Sequence, residues 1–293
     1  MTPVNYRWAH AVNSNALLSL VYYQVQKALK QQQLMTLNHV NAIEADIIWN
    51  EDKQVSMMGH PPATDSDLTL SQFLHAMLKL AVMFQHSSTS DETPLIVKLD
   101  FKSSRAFEAS LELLTTFMAK YPFTKGVFIN ADILPGPASS NYVAFDAIMF
   151  LEQVNELGDY ENGQHRHKLV LSVGWTTTNV NEETIHREYT SDMIEAMLRV
   201  LKPYGDTLAV TFPVRATSVR KSWHALRPLL ESPNYGLTLW WAMTQMPDDD
   251  LEWIYTTLEC SAEAESSTGS STMYANRTFY DIKGFSNFLA RRG

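Results

Sequence analysis

Ala42-Ile43-Glu44-Ala45-Asp46-Ile47-Ile48-Trp49 reads as a β-strand that carries charge where a core strand should carry none. Side chains two apart on a strand share a face, so Glu44 and Asp46 project together. The neighbours Ile43, Ile47, Ile48 and Trp49 argue against a solvated edge strand. Two like charges side by side in an apolar setting are costly unless a cation lies between them. A hard divalent ion such as Mg2+ or Ca2+, which takes oxygen ligands, answers that need. Leu95-Ile96-Val97-Lys98-Leu99-Asp100-Phe101-Lys102 repeats the pattern, with Lys98, Asp100 and Lys102 on one face and Leu99 and Phe101 on the other.

Working outward, short apolar runs alternate with helical patterns along all 293 residues. Strands are expected at Tyr6–Val12, Ala42–Trp49, Leu95–Phe101, Gly126–Ala131, Leu169–Val173, Thr207–Phe212, Gly236–Trp241 and Met273–Tyr280. Helices are expected at Ala16–Gln33, Leu70–Phe84, Ser104–Lys120, Asn141–Leu157, Ser191–Leu201, Val219–Leu230, Asp248–Leu258 and Ile282–Arg292. Strand–helix alternation of this kind predicts an α/β fold with a parallel sheet, and at this length a single (β/α)8 TIM-type barrel spanning residues 1–293. The runner-up is an open doubly wound sheet, which lacks here any GxGxxG or GxxxxGK phosphate turn. The Ser-rich stretch 259–272 reads as a flexible loop before the last strand.

Composition narrows the function classes. The net charge of −9 disfavours an extended nucleic-acid surface or a membrane-coating face. A small anionic substrate remains compatible, because a bound divalent ion inverts the local field. Cys260 stands alone, so no disulfide can form within the chain, and its context is that of an incidental thiol. There is no apolar run of transmembrane length and no signal peptide in the chain as given, which leads to the expectation of a cytoplasmic or other intracellular soluble protein. The oligomeric state is not legible.

In barrels, chemistry sits at the C-terminal ends of the strands. Asp100 there supplies a third carboxylate beside Glu44 and Asp46, and Lys102 a point charge for a phosphate oxygen. Lys98, deeper on the same face, reads as a structural ion-pair partner. His10 ends the first strand and His60 follows the second, so the two flank the carboxylates. One can take a proton while the other gives one. The other histidines, among them His39, His86, His165 and His167, read as packed or surface residues.

These residues carry a resemblance. His, then Glu-x-Asp, then His, then a third acid in a strand resembles the phospholipase C-like phosphodiesterase superfamily, which includes glycerophosphodiester phosphodiesterases and spider-venom sphingomyelinase D enzymes. The blocks HAVNS, EADI, GHPP with SDLTL, KLDFK, NADILPGP, LSVGWTT, FPVRA and YGLTLW, in this order from Trp8 to Tyr280, are similar to those of the menorin family. The resemblance implies a barrel of the phosphodiesterase kind, metal ligands at Glu44, Asp46 and Asp100, an acid–base pair at His10 and His60, and a phosphate-side lysine at Lys102. Further inward candidates are Asn13, Asn130, Asp132, Arg215 and Trp240. Asn13 is expected to hold His10 or the metal shell; Arg215 also admits a surface reading, and Trp240 a pocket-wall reading.

The chain departs from the glycerophosphodiesterases in one respect: they open with His-Arg-Gly where this chain has His10-Ala11-Val12. The substrate-side arginine is absent, and Lys102 or Arg215 would have to replace its charge. The expected activity is that of a phosphoric diester hydrolase or cyclising lyase that uses one divalent cation. Its substrate would be a small phosphodiester, a lipid head group or an RNA end with a hydroxyl beside the phosphate. The rival expectation is a catalytically weak barrel that serves as a binding or adhesion-type protein.

Overall fold

A computed structural model of the chain describes residues 2–30, 39–85, 93–137, 145–177, 184–204, 207–260 and 274–292. Its strands are β1 (Trp8–Ala9), β2 (Ala42–Asn50), β3 (Val55–Met58), β4 (Ile96–Phe101), β5 (Val127–Pro135), β6 (Leu169–Thr176), β7 (Ala209–Arg215), β8 (Tyr235–Trp241) and β9 (Thr278–Ile282). Eight of them pair in parallel in the order β1-β2-β4-β5-β6-β7-β8-β9, while β3 pairs antiparallel with β2. The helices are α1 (Asn15–Lys30), α2 (Leu70–Gln85), α3 (Ser104–Glu108), α4 (Leu111–Lys120), α5 (Ala147–Gly163), α6 (Ser191–Leu201), α7 (Ala216–Leu226), α8 (Asp248–Tyr255) and α9 (Phe285–Arg292). The expected α/β barrel is therefore the observed architecture. Among the described residues no backbone pairing joins β1 to β9. The barrel is nearly closed, and side chains bridge that seam: Tyr6, just before β1, packs on Phe279 of β9 with ring centroids 5.9 Å apart.

Strand alternation sorts the residues into two cores. Ile43, Ala45 and Ile47 of β2, Val97, Leu99 and Phe101 of β4, and Val127, Ile129, Ala131 and Ile133 of β5 belong to the large core shared with the helices. The opposite parity fills the barrel. Tyr6, Ala42, Ile96, Phe128 and Val170 form a separate buried cluster, with Trp8, Ala209 and Phe279 packed against it. This is the floor. Above it the inward residues turn polar: Glu44, Lys98, Asn130, Ser172, Thr211 and Thr238 are all buried.

Several boundaries differ from expectation. The first strand is only Trp8–Ala9, because the chain turns at Ala11, whose φ is 54°. The hairpin strand β3 was not foreseen; its pairing of Met58 with Ile47 returns the chain to the mouth just before His60. The expected helix Ser104–Lys120 breaks into α3 and α4 at Ser110, whose hydroxyl donates back to Ala106 O at 2.6 Å. The last strand starts and ends later than expected, at Thr278 and Ile282. Residues 261–272 of the expected loop, Met273 and His86 lie outside the described residues. No helix among the described residues is long and apolar enough to cross a membrane.

The floor lies directly under the polar layer, and its fully buried aromatic side chain is Phe128, whose ring is edge-on to Phe279 at 5.2 Å. Phe128→Ala should cost about 3–5 kcal/mol of unfolding free energy. Denaturant titration checks this; a loss under about 1 kcal/mol would mean that the floor collapses freely and does not support the layer above.

Candidate active site

A cavity of about 660 Å3 opens above the floor. One side is charged, lined by His10, Glu44, Asp46, His60, Lys98, Asp100, Lys102, Asn130 and Asp132. The other is formed largely by Trp175, Pro213, Trp240 and Met243. Ten of the eleven expected site residues can thus be placed at or directly behind one cavity. Asn13 lies behind the wall: its Nδ2 donates to Asp46 Oδ2 at 2.7 Å, and its Oδ1 accepts from the Asp46 N–H at 2.9 Å.

Register explains the convergence. Glu44 lies level with Lys98, and Asp46 level with Asp100 and, one strand on, Asn130. Carboxylate oxygens of Glu44, Asp46 and Asp100 all come within 4.8 Å of one another. Asn130 Nδ2 donates to Asp100 Oδ1 at 2.7 Å, and Ser172 in turn donates to Asn130 Oδ1 at 2.6 Å, so the chain of bonds fixes the Asp100 plane. Asp132 stands opposite Gly174 in register, where an added Cβ would lie 2.5 Å from its Oδ1. Only glycine leaves Asp132 that room.

The electrostatics follow from packing so many acids together. Burial and then the Asp46 charge push Glu44 up to about 7, against the pull of His10 and Lys98. Burial and the Asp100 charge likewise push Asp132 up to about 7. Burial would raise Asp46 as well, but Lys102 and the hydrogen bond from Asn13 hold it below the usual carboxylate range. Lys102 Nζ lies 2.8 Å from Asp46 Oδ1 and 2.7 Å from Asp100 Oδ2. A positive group thus already bridges two of the three carboxylates, and an all-oxygen set of this spacing suits a hard divalent cation. Glu44, Asp46 and Asp100 would hold such an ion.

His10 is clamped at the barrel seam. Its Nδ1–H donates to Asp281 Oδ2 at 2.6 Å, with Glu44 Oε2 at 3.3 Å, and its side chain is 34% exposed. The tight turn at Ala11 aims the Ala11 N–H at Glu44 Oε2, 2.7 Å away. Burial alone would lower His10, yet the Glu44 and Asp281 carboxylates raise it to about 10. His60 is exposed at the mouth, where Nδ1–H donates to the Pro61 carbonyl at 2.6 Å. In both rings Nδ1 is engaged, leaving Nε2 for proton exchange.

Three findings correct or extend the sequence reading. Arg215 is fully buried and outside the cavity; β7 ends there, and its Nε reaches Ser218 Oγ at 3.4 Å while its backbone N–H donates to the Tyr189 hydroxyl. Lys98 is not half of an ion pair: among the described residues nothing reaches its ammonium within hydrogen-bond or salt-bridge distance. Asp281 was missed altogether. It falls between the expected strand Met273–Tyr280 and the expected helix Ile282–Arg292, and the signal that points to it is a lone carboxylate between Tyr280 and Ile282 in a strand that runs on to Ile282. His39 and His165 are buried away from the cavity, as expected of packed residues.

The His10 clamp has a pH consequence. A folded-state pKa raised above 6.5 contributes stability that is fully present below that value and lost as pH climbs through about 10. Asp281→Asn keeps the shape but removes one of the two charges that raise the ring. Its imidazole should therefore titrate lower by NMR, and the alkaline loss of melting temperature should begin at lower pH and be smaller. An unchanged His10 titration in Asp281→Asn would show that the seam contact carries no charge coupling.

The family comparison agrees with the menorin-like motif blocks. Residues 3–261 match the family model described as the Menorin N-terminal domain. The human protein FAM151B is 34% identical over 237 residues, covering 80% of this chain and 71% of that protein. Among solved structures the chain is similar to a glycerophosphodiester phosphodiesterase from Thermotoga maritima, at 14% identity and TM-score 0.41 over 97% of each chain. It is also similar to a protein assigned as a glycerophosphoryl diester phosphodiesterase from Silicibacter pomeroyi, at 9% identity and TM-score 0.44 over 99% of this chain and 96% of that one. The family model spans most of the sequence, and on that ground the chain belongs to the menorin family.

Proposed function

We propose that the cavity is the active site of a divalent-metal-dependent phosphodiesterase acting on a phosphodiester that carries a neighbouring hydroxyl. The observation that carries this reading is the convergence of three carboxylates within ligand range of one another, beside two histidines, at the mouth of one cavity. The amphiphilic lining supports it: charge on one side suits the phosphate, and the wall of Trp175, Pro213, Trp240 and Met243 suits a less polar remainder.

A bound Mg2+ or Ca2+ would supply Lewis acidity to a phosphoryl oxygen. The remaining work falls to this chain's side chains. One histidine removes the proton of the neighbouring hydroxyl, whose oxygen forms a new bond to phosphorus. The other histidine gives a proton to the departing alkoxide as the old P–O bond breaks. The products of that step are a cyclic phosphate and an alcohol, and water can then open the ring by the reverse exchange of protons. Asp281 engages His10 Nδ1 and so leaves Nε2 for proton exchange, and Asn13 and Asn130 fix the Asp46 and Asp100 carboxylates. Substrates of the right chemistry are glycerophosphodiesters, lysophospholipids, ceramide-based phosphodiesters and RNA ends.

If the carboxylates hold the ion, Asp46→Asn should weaken its binding at least tenfold by calorimetry and stop turnover, because it removes one of the ligand charges. Metal affinity equal to wild type would remove Asp46 from the shell. If the histidines act as a pair, His10→Ala and His60→Ala should each cost about 10²–10⁴-fold in kcat, and the double variant little more. Strictly multiplicative losses, or near wild-type turnover in either single variant, would contradict the pairing. His39→Ala, buried elsewhere, serves as the control for kcat among variants that fold normally.

A further inference from the structure

The two inward lysines of β4 differ in what they touch. Lys102 is engaged by Asp46 and Asp100 at 2.8 and 2.7 Å. Lys98 lies four residues earlier, level with Glu44 and Phe128, where the polar layer meets the apolar floor. It is only 4% exposed and lines the cavity. Among the described residues no hydrogen bond or ion pair within 4.0 Å reaches its ammonium. Glu44, Asp132 and His10 feel its charge only through space.

An ammonium has three donors and no means of satisfying them internally. Withdrawing one from bulk water without a partner costs stability, and apolar packing would fill the same space at lower cost. Lys98 thus presents to the cavity an ammonium that no contact within the fold requires. In a cavity crowded with carboxylates, an uncommitted cation at the bottom does one thing well: it gives an anion a place to sit. Strand rise puts the Lys98 Cα about 13 Å from that of Lys102 along the tilted strand, on the floor side, so the two do not serve as a single interchangeable charge.

We propose that Lys98 is a ligand-recognition residue, donating to a phosphoryl oxygen, so that the phosphate group enters to the polar layer directly above the barrel floor. Naming the anion as phosphate rests on the phosphodiesterase reading; the open ammonium does not. The proposal reassigns the work of the arginine missing after His10. It also predicts that ligands with a slender phosphate end are preferred to those whose phosphate is flanked by bulk on both sides.

The test is calorimetric titration of inorganic phosphate into the full chain in Mg2+ buffer, comparing wild type with Lys98→Met and Lys98→Arg, together with their melting temperatures. A direct charge-assisted hydrogen bond is worth a loss on the order of ten- to a hundredfold in phosphate affinity for Lys98→Met. Lys98→Arg should stay within about threefold, and Lys98→Met should melt no lower than wild type without phosphate. A Lys98→Met affinity within about threefold of wild type is what through-space charge alone would give, and would overturn the proposal. So would a wild-type chain that binds no phosphate at tens of millimolar. If Lys98→Met is too unstable to titrate, Lys98→Gln takes its place under the same criteria. The readout needs no turnover. A chain that binds phosphate through Lys98 yet cleaves no phosphodiester would sink the catalytic reading alone. One that cleaves phosphodiesters with unchanged KM as Lys98→Met would sink this proposal alone.

Discussion

Mutual repulsion among Glu44, Asp46, Asp100 and Asp132 governs the upper half of this barrel. Four carboxylates in one mouth cannot all ionise without compensation. The fold offers it in graded form: Lys102 bridges Asp46 and Asp100, His10 sits against Glu44, and Asn13 and Asn130 donate to the oxygens that remain. Glu44 and Asp132, the acids without a direct lysine contact, are the two raised to about 7. A divalent ion would complete the same compensation more strongly than an ammonium, so that metal binding, as proposed, would also stabilise the site.

The seam makes the geometry of the cavity mouth depend on closure of the barrel. With no backbone ladder between β1 and β9 among the described residues, the contacts that join the edges are side-chain ones. Tyr6 against Phe279 does so at the floor, and His10 to Asp281 at the mouth. The proposed proton-transfer residue is thus also a closure residue. Orientation of its ring and registration of the last strand are one structural event, linking sequence positions 271 residues apart.

What the sequence made legible was whatever followed a regular period, two residues in strands and 3.6 in helices. In β2 and β4 the alternation of apolar and charged residues exposed both the strand and the charged face, and the helix Ser191–Leu201 was bounded correctly by its own pattern. The failures have physical reasons. Val55–Met58 is a four-residue strand whose pairing is tertiary, so no periodicity could announce it. Ser104–Lys120 has a continuous helical pattern, and the break at Ala109–Ser110 goes with tertiary anchoring, since the Ser110 hydroxyl also hydrogen-bonds to Ser56 Oγ at 2.9 Å. Arg215, an inward substrate-side candidate because it follows the expected strand Thr207–Phe212, lies instead where β7 ends and α7 begins, and its side chain packs against Ser218. Asp281 falls between the expected strand Met273–Tyr280 and the expected helix Ile282–Arg292, and it is the tertiary pairing with Trp240 of β8 that carries the strand through it.

The most direct test of the account is ³¹P NMR of matched phosphodiesters incubated with the protein and Mg2+ or Ca2+. One set of substrates carries a hydroxyl beside the phosphate and the other has that hydroxyl replaced by hydrogen. The account predicts a metal-dependent cyclic-phosphate or phosphomonoester signal from the hydroxyl-bearing set alone. Equal cleavage of both sets, or no cleavage of any member by a protein that binds the ion, would contradict it.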